Sequence, residues 1–215
     1  MIDATDFTIP GTGVLRNKLG ITDYAALLKA TTDSTVLRLA ELHASPIRGG
    51  FDSAHLQDIH HHLYQDLYDW AGELRSIDAH NVPASQVEKS LDSVLDRLSR
   101  ENHLKGLSTE EWAGSASTYL YDLGTIQPFL AGNEVALQEF AVELARKNNL
   151  SLQWDTTPGI ASDSMALLSQ DEQSANLRRL IMLAMDTDPV AQHSSRSHVL
   201  EQGIEQFLPI GNPRL

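Results

Sequence analysis

The chain contains no cysteine, which excludes disulfide frameworks, thiolate zinc sites and cysteine nucleophiles. Positive charge is scarce: 16 Lys and Arg stand against 29 Asp and Glu, for a formal charge of −13. A surface of that sign repels phosphate polymers and anionic headgroups, so neither a nucleic-acid nor a membrane partner is expected. No apolar run approaches the roughly 18 residues of a membrane span. The opening Met1-Ile-Asp-Ala-Thr-Asp-Phe7 lacks the basic and apolar regions of a secretory signal. The default compartment is therefore the cytoplasm. A protein delivered to a host or rival cell by a specialised secretion machine would read the same way.

What is present is helical periodicity. A hydrophobic content of 41% over 215 residues supplies one domain's core. Between Asp52 and Trp70 the positions Leu56, Ile59, Leu63, Leu67 and Trp70 fall on one helix face, with Asp52 as N-cap. Ser85-Gln-Val-Glu88 and Ser108-Thr-Glu-Glu111 both read as capping boxes. Their helices carry the stripes Val87, Leu91, Val94, Leu95, Leu98 and Trp112, Ala116, Tyr119, Leu120, Leu123. Gly132-Asn133 breaks the pattern, which resumes at Leu137, Phe140, Ala141 and Leu144 until Asn148-Asn149. One or two helices span Thr22 to about Ala44, and another runs from about Asp171 to Met185. The best extended candidate is Glu73 to Asn81, as half of a small hairpin. The expected architecture is all-α: a compact bundle of six to eight helices with at most a small β-hairpin flap. An N-terminal helical segment would cover 1–50 and a core domain 51–190. A linker, short helix and tail would fill 191–215.

Three groups of side chains invite a chemical reading. His60-His61-His62, with His55 and Asp58 nearby, could be taken for a metal site. Consecutive helical residues point roughly 100° apart and cannot converge on one ion, so core-facing imidazoles with one exposed ring are the plainer expectation. The acids Asp58, Asp66, Asp69 and Glu73 read as a solvated face, and Gly72 as a helix stop. The third group is Thr125-Ile-Gln-Pro-Phe-Leu-Ala-Gly-Asn-Glu-Val135, between two amphipathic helices. Pro128 ends the first, Gly132-Asn133 can take positive φ, and Glu134 falls in the first turn of the second. A helix N-terminus there leaves amides free for an anion, although an empty helix–loop–helix corner has the same spacing.

Taken together, Pro10-Gly-Thr-Gly-Val-Leu-Arg-Asn-Lys-Leu-Gly20, Phe51-Asp-Ser-Ala-His-Leu-Gln-Asp-Ile-His60 with Leu63 to Arg75, and Ile126-Gln-Pro-Phe-Leu-Ala-Gly-Asn133 resemble the Fic/Doc family of cell-filamentation type. The resemblance implies the Fic fold and transfer of AMP from ATP, with Mg²⁺, to a hydroxyl of a target protein; a Doc-type branch transfers phosphate. The family loop is His-Pro-Phe-x-(Asp/Glu)-Gly-Asn-Gly-Arg with a further Arg three residues on. It implies a base at Gln127, a Mg²⁺-holding acid at Ala131, a second Gly at Glu134 and arginines at Val135 and Gln138. The loop-shaping residues Pro128, Phe129, Gly132 and Asn133 agree with the pattern.

Glutamine is no base near neutral pH, and loss of acid–base help alone removes about 10²–10⁴ in rate. Loss of metal and cationic clamps removes the terms that carry phosphoryl-group catalysis. Glu134, favoured by the helix dipole, would compete with a phosphate for the same amides. The reading is a Fic-fold pseudoenzyme that binds a protein: a target, or a Fic-related regulator or antitoxin. No cofactor is predicted, and ATP with Mg²⁺ only if the family activity survives. One alternative is a transferase with altered donor or mechanism, using Glu134, His80 or His103 as base. Another is a purely structural or oligomeric relic. A reduced flap after Arg75 fits weakened target docking. The inhibitory-helix pattern of the family finds only a poor match at Ser197-His-Val-Leu-Glu-Gln202, read as coincidence.

Overall fold

The computed structural model describes residues 7–78, 82–154 and 170–185. Six α-helices follow one another among them: α1 (Tyr24–Ala44), α2 (Ser53–Tyr64), α3 (Ala84–Arg100), α4 (Thr109–Ile126), α5 (Asn133–Lys147) and α6 (Gln170–Met185). A 3₁₀ turn, Asn102–Leu104, joins α3 to α4. The all-α expectation holds. The N-terminal region forms one helix rather than two, started by Asp23, whose side chain accepts the Ala26 N–H.

Periodicity places the core correctly because each stripe meets a partner. α2 packs on α1 and α5, and α4 packs on α3, α5 and α6. Leu56, Ile59, Leu63, Leu91, Leu98, Trp112, Leu123, Phe140 and Ile181 are fully buried in one contiguous cluster. Each such side chain contributes roughly 1.5–3 kcal/mol on burial. No helix among the described residues is long and apolar enough to cross a membrane.

Three local expectations are corrected. The stripe from Asp52 does not stay helical to Trp70, because α2 ends at Tyr64. The Leu67 N–H turns back to the Tyr64 carbonyl, and the Leu67 carbonyl is taken by the Lys18 N–H, so the chain tightens into turns while Leu67 remains buried. Ser85 does not cap α3: the cap position is Pro83, and the Asp78 carboxylate accepts the Ala84 N–H at 2.7 Å. An upstream acid thus satisfies the first amide of α3, one residue before those that a Ser85–Glu88 capping box would serve. The extended segment from Glu73 forms no ladder over 73–78, since its backbone bonds go to the Trp70 and Pro128 carbonyls. The β-bridge found among the described residues pairs Thr8 with Leu15 instead. Ala79, His80 and Asn81 lie outside the described residues, as do the linker, the tail and Ser197 to Gln202.

The Ser108 capping box forms: Glu111 accepts the Ser108 N–H at 2.9 Å, and the Ser108 hydroxyl accepts the Glu111 N–H. The Ser108 hydroxyl also donates to the Glu111 carboxylate at 2.6 Å, and this bond, with that from the Ser108 N–H, pulls the Glu111 carboxyl below its usual range. α4 is therefore a well-started helix, whereas α5 begins at Gly132 without a side-chain cap.

Candidate functional site at the α4–α5 corner

The corner starts where α4 runs out. Gln127 takes a left-handed backbone, φ +48°, and its N–H returns to the Leu123 carbonyl. Positive φ was expected at Gly132-Asn133. Gly132 has it, at +76°, but Asn133 is already the first residue of α5, and Gln127 makes the other reversal. Pro128, next in line, has no N–H with which to extend the helix.

Gly132 is fixed by more than its φ. A Cβ there would lie 2.4 Å from the Tyr64 ring, so α2 approaches the loop too closely for any side chain. Asn133, buried, spans the loop from inside. Its Oδ1 accepts the Phe129 N–H at 2.8 Å, and its Nδ2 donates to the Phe129 carbonyl at 2.9 Å. One amide side chain thereby pairs both backbone groups of a buried residue that no helix serves.

His60 braces the same loop from α2. The Gly72 N–H donates to Nδ1 at 2.9 Å, so Nδ1 carries the lone pair. Nε2 therefore holds the proton and donates to the Ala131 carbonyl at 3.0 Å. The ring stacks on Phe129 with centroids 3.8 Å apart. Burial lowers its pKa to about 4, against the opposing pull of the Ala131 hydrogen bond. His60 is thus a neutral structural imidazole, as the plainer sequence reading held. His61 is exposed, and His62 lies 3.2 Å from Glu41 of α1. His55 pairs with buried Glu143 of α5 at 2.9 Å. Among the described residues no three His, Asp or Glu side chains are grouped to hold a metal ion.

Arg75 is the residue whose role the sequence did not disclose. Its guanidinium is buried without a carboxylate partner and donates to four carbonyls: Gln127 (2.7 Å), Ile77 (2.8 Å), Val82 (2.5 Å) and Ile126 (3.1 Å). Its own N–H donates to the Pro128 carbonyl at 2.9 Å. The negative end of the α4 dipole meets a fixed cation there. Desolvation lowers the Arg75 pKa, partly offset by Asp78. Gly72, expected as a helix stop, instead closes a turn eight residues past the end of α2, and an Arg just beyond it was the available signal, but periodicity says nothing about carbonyls fifty residues away.

The chemistry-bearing positions are uncharged apart from one. Gln127, Ala131, Val135 and Gln138 are half-buried and carry no ionisable group. Glu134 is half-buried in the first turn of α5, and burial raises its pKa. Its carboxylate takes a 3.4 Å hydrogen bond from the Gln138 amide rather than from a backbone N–H, which corrects the expectation that it occupies the amides of its own helix end. His103 is not part of this corner. Its ring bonds the Gly50 carbonyl, and its own carbonyl accepts from Asn148, just past the far end of α5. That is roughly 20 Å away along a helix of this length.

This arrangement can be set beside known proteins. The sequence model of the Fic/DOC family matches residues 50–142, which include α2, the Arg75 turn and the whole corner. The chain is 31% identical over 179 residues to the probable protein adenylyltransferase Fic of Salmonella typhimurium, covering 81% of this chain and 87% of that protein. The chain belongs to the Fic/DOC family. It is also 36% identical over 154 residues to the protein adenylyltransferase VbhT of Bartonella schoenbuchensis, over 69% of this chain. It spans only 32% of that relative's length. Among solved structures, the N-terminal FIC domain of Bep8, a VirB-translocated effector of Bartonella sp. 1-1C, superposes with a TM-score of 0.75. Its identity is 23%, over 86% of this chain and 96% of that one. The effector BepA gives a TM-score of 0.78 at 19% identity, over 94% and 75%. These likenesses show the Fic fold.

Proposed function

We propose that this chain is a catalytically silent Fic-fold protein that acts by binding a protein partner. One observation carries the reading. The loop's shape is maintained by His60, Arg75, Phe129, Gly132 and Asn133, while the positions that would do chemistry offer Gln127, Ala131, Val135 and Gln138. The residues present do not fit MgATP. A hard cation needs oxygen donors, and Ala131 presents a methyl group. The guanidinium at the loop, Arg75, is committed to carbonyls, and Glu134 would repel a triphosphate.

A partner could be a target protein, a Fic-related regulator or antitoxin, or a second copy of the chain. Cytoplasmic residence is the simplest setting. Delivery by a secretion machine is supported by the resemblance in fold to translocated effectors. The competing reading, a transferase with altered donor or mechanism, is favoured by the adenylyltransferase names of its relatives.

The test incubates the purified protein with labelled ATP, Mg²⁺ and cell lysate. No labelled protein should appear above a control lacking the chain, and ATP with Mg²⁺ should not raise the melting temperature. The combined variant Q127H/A131E/E134G/V135R/Q138R should bind nucleotide and shift upward, because the scaffold beneath those positions is intact. Robust labelling by the natural chain refutes the proposal.

A further inference from the structure

Glu134 is a half-buried carboxylate without a cation. Among the described residues it makes no ion pair, and its hydrogen bond is the long one from Gln138. Its neighbours along the loop, Leu130, Ala131 and Val135, are uncharged and half-buried. Removing a carboxylate from water without a counter-charge is unfavourable, in keeping with its raised pKa. A cation supplied from outside would remove that penalty.

Tyr64, which stands between Gly132 and α1, is itself buried, and exposed apolar side chains lie farther along α1. α1 has 21 residues and α2 only 12, so α1 extends past the end of α2. Along one stripe of α1, Thr35 lies against the Tyr64 hydroxyl and Thr31 against that of Tyr68. Three and seven residues before Thr31 the stripe continues as Leu28 and Tyr24, which are 54% and 70% exposed. Tyr64 joins the two regions, since its ring abuts Gly132 and its hydroxyl feels the Glu134 charge. The run from Tyr24 to Thr35 is roughly 16 Å long, about three turns of a facing helix.

We infer that this surface binds a basic amphipathic segment of a partner protein, about twelve residues long, with a Lys or Arg side chain on Glu134 and apolar side chains along Leu28 and Tyr24. Charge complementarity selects this occupant. A nucleotide or an acidic peptide would meet the lone carboxylate as a like charge, and the chain's net charge of −13 favours a cationic guest from a distance. The inference rests on the binding reading above and gives that reading a place and a partner chemistry.

The experiment selects a phage-displayed library of random twelve-residue peptides on the whole protein. Selections on E134Q and E134R run in parallel. Enriched peptides should pair Lys or Arg with apolar residues. The best synthetic peptide should bind about tenfold more weakly to E134Q, the loss of one charge-assisted hydrogen bond. L28E should weaken it too, and E134R should select acidic peptides instead. No enrichment, enriched peptides without a basic residue, or affinity unchanged by E134Q would each overturn the inference. The two proposals fail separately. Label transfer from ATP counts against catalytic silence without touching this readout. A silent chain that selects no basic peptide keeps the binding reading and loses this site.

Discussion

Replacing Arg75 by Met keeps an unbranched, apolar stem, though a shorter one, and removes the five N–H donors. In the structure those donors serve the Ile77, Val82, Ile126 and Gln127 carbonyls, with N···O distances from 2.5 to 3.1 Å. A hydrogen bond to a charged group contributes about 1.5–3 kcal/mol, and such contributions are not additive when one group makes several. Burial of Arg75 without a carboxylate also has a cost, and the apolar replacement relieves it. Together these give an expected loss of about 3–5 kcal/mol, close to that for breaking a buried charged contact. For a protein of this size that lowers the melting temperature by about 10 °C. Urea unfolding followed by circular dichroism, with hydrogen exchange at the Gln127 and Phe129 amides, measures both the global loss and its location. R75K should fall between, since an ammonium group donates to some of the carbonyls but cannot span them all. A loss below about 1 kcal/mol in R75M, or exchange unchanged at those amides, refutes the idea that one guanidinium ties residues 77 and 82 to the loop.

Gly132→Ala combines a left-handed backbone with a Cβ 2.4 Å from Tyr64 Cε2. It should destabilise by about 1–3 kcal/mol or more, measured by urea unfolding, and Y64L should recover part of the loss. Asn133→Ala leaves the buried N–H and carbonyl of Phe129 without partners, for about 1–3 kcal/mol each, visible as lost stability and faster exchange at Phe129. His60 has a folded-state pKa near 4, below its ordinary value of 6.5. Between those pH values the unfolded chain binds the extra proton, so stability is full above about pH 6.5 and declines as pH falls toward 4. The decline is up to about 3 kcal/mol. Unfolding curves from pH 7 to 4.5 should show it, and H60F, which keeps the stack on Phe129, should flatten this component.

The helices were legible because their apolar stripes report which face meets the core, and Asp52 and Ser108 cap where their side chains can reach a free amide. Boundaries set by distant partners were not. The end of α2 depends on a backbone bond from Lys18, and the start of α3 on Asp78. The corner itself was readable as a Gly-Asn turn after a Pro. Its geometry was half readable, since nothing local predicts that a glutamine will adopt φ +48°. The Arg75 contacts illustrate the general difficulty. A guanidinium that binds carbonyls leaves no complementary residue type in the sequence, whereas a salt bridge such as Arg38 with Asp66 at least pairs opposite charges.

The side chains that hold the corner in shape and those that face outward from it form two separate sets. His60, Arg75, Gly132 and Asn133 act on backbone atoms or on close approach, so they are indifferent to which side chains stand at 127, 131, 134, 135 and 138. A frame of this kind lets successive sequences exchange one set of outward groups for another, base for amide or cation for carboxylate, without passing through an unfolded intermediate. Activity can then be lost, inverted in charge or regained by a handful of substitutions while the protein stays intact throughout.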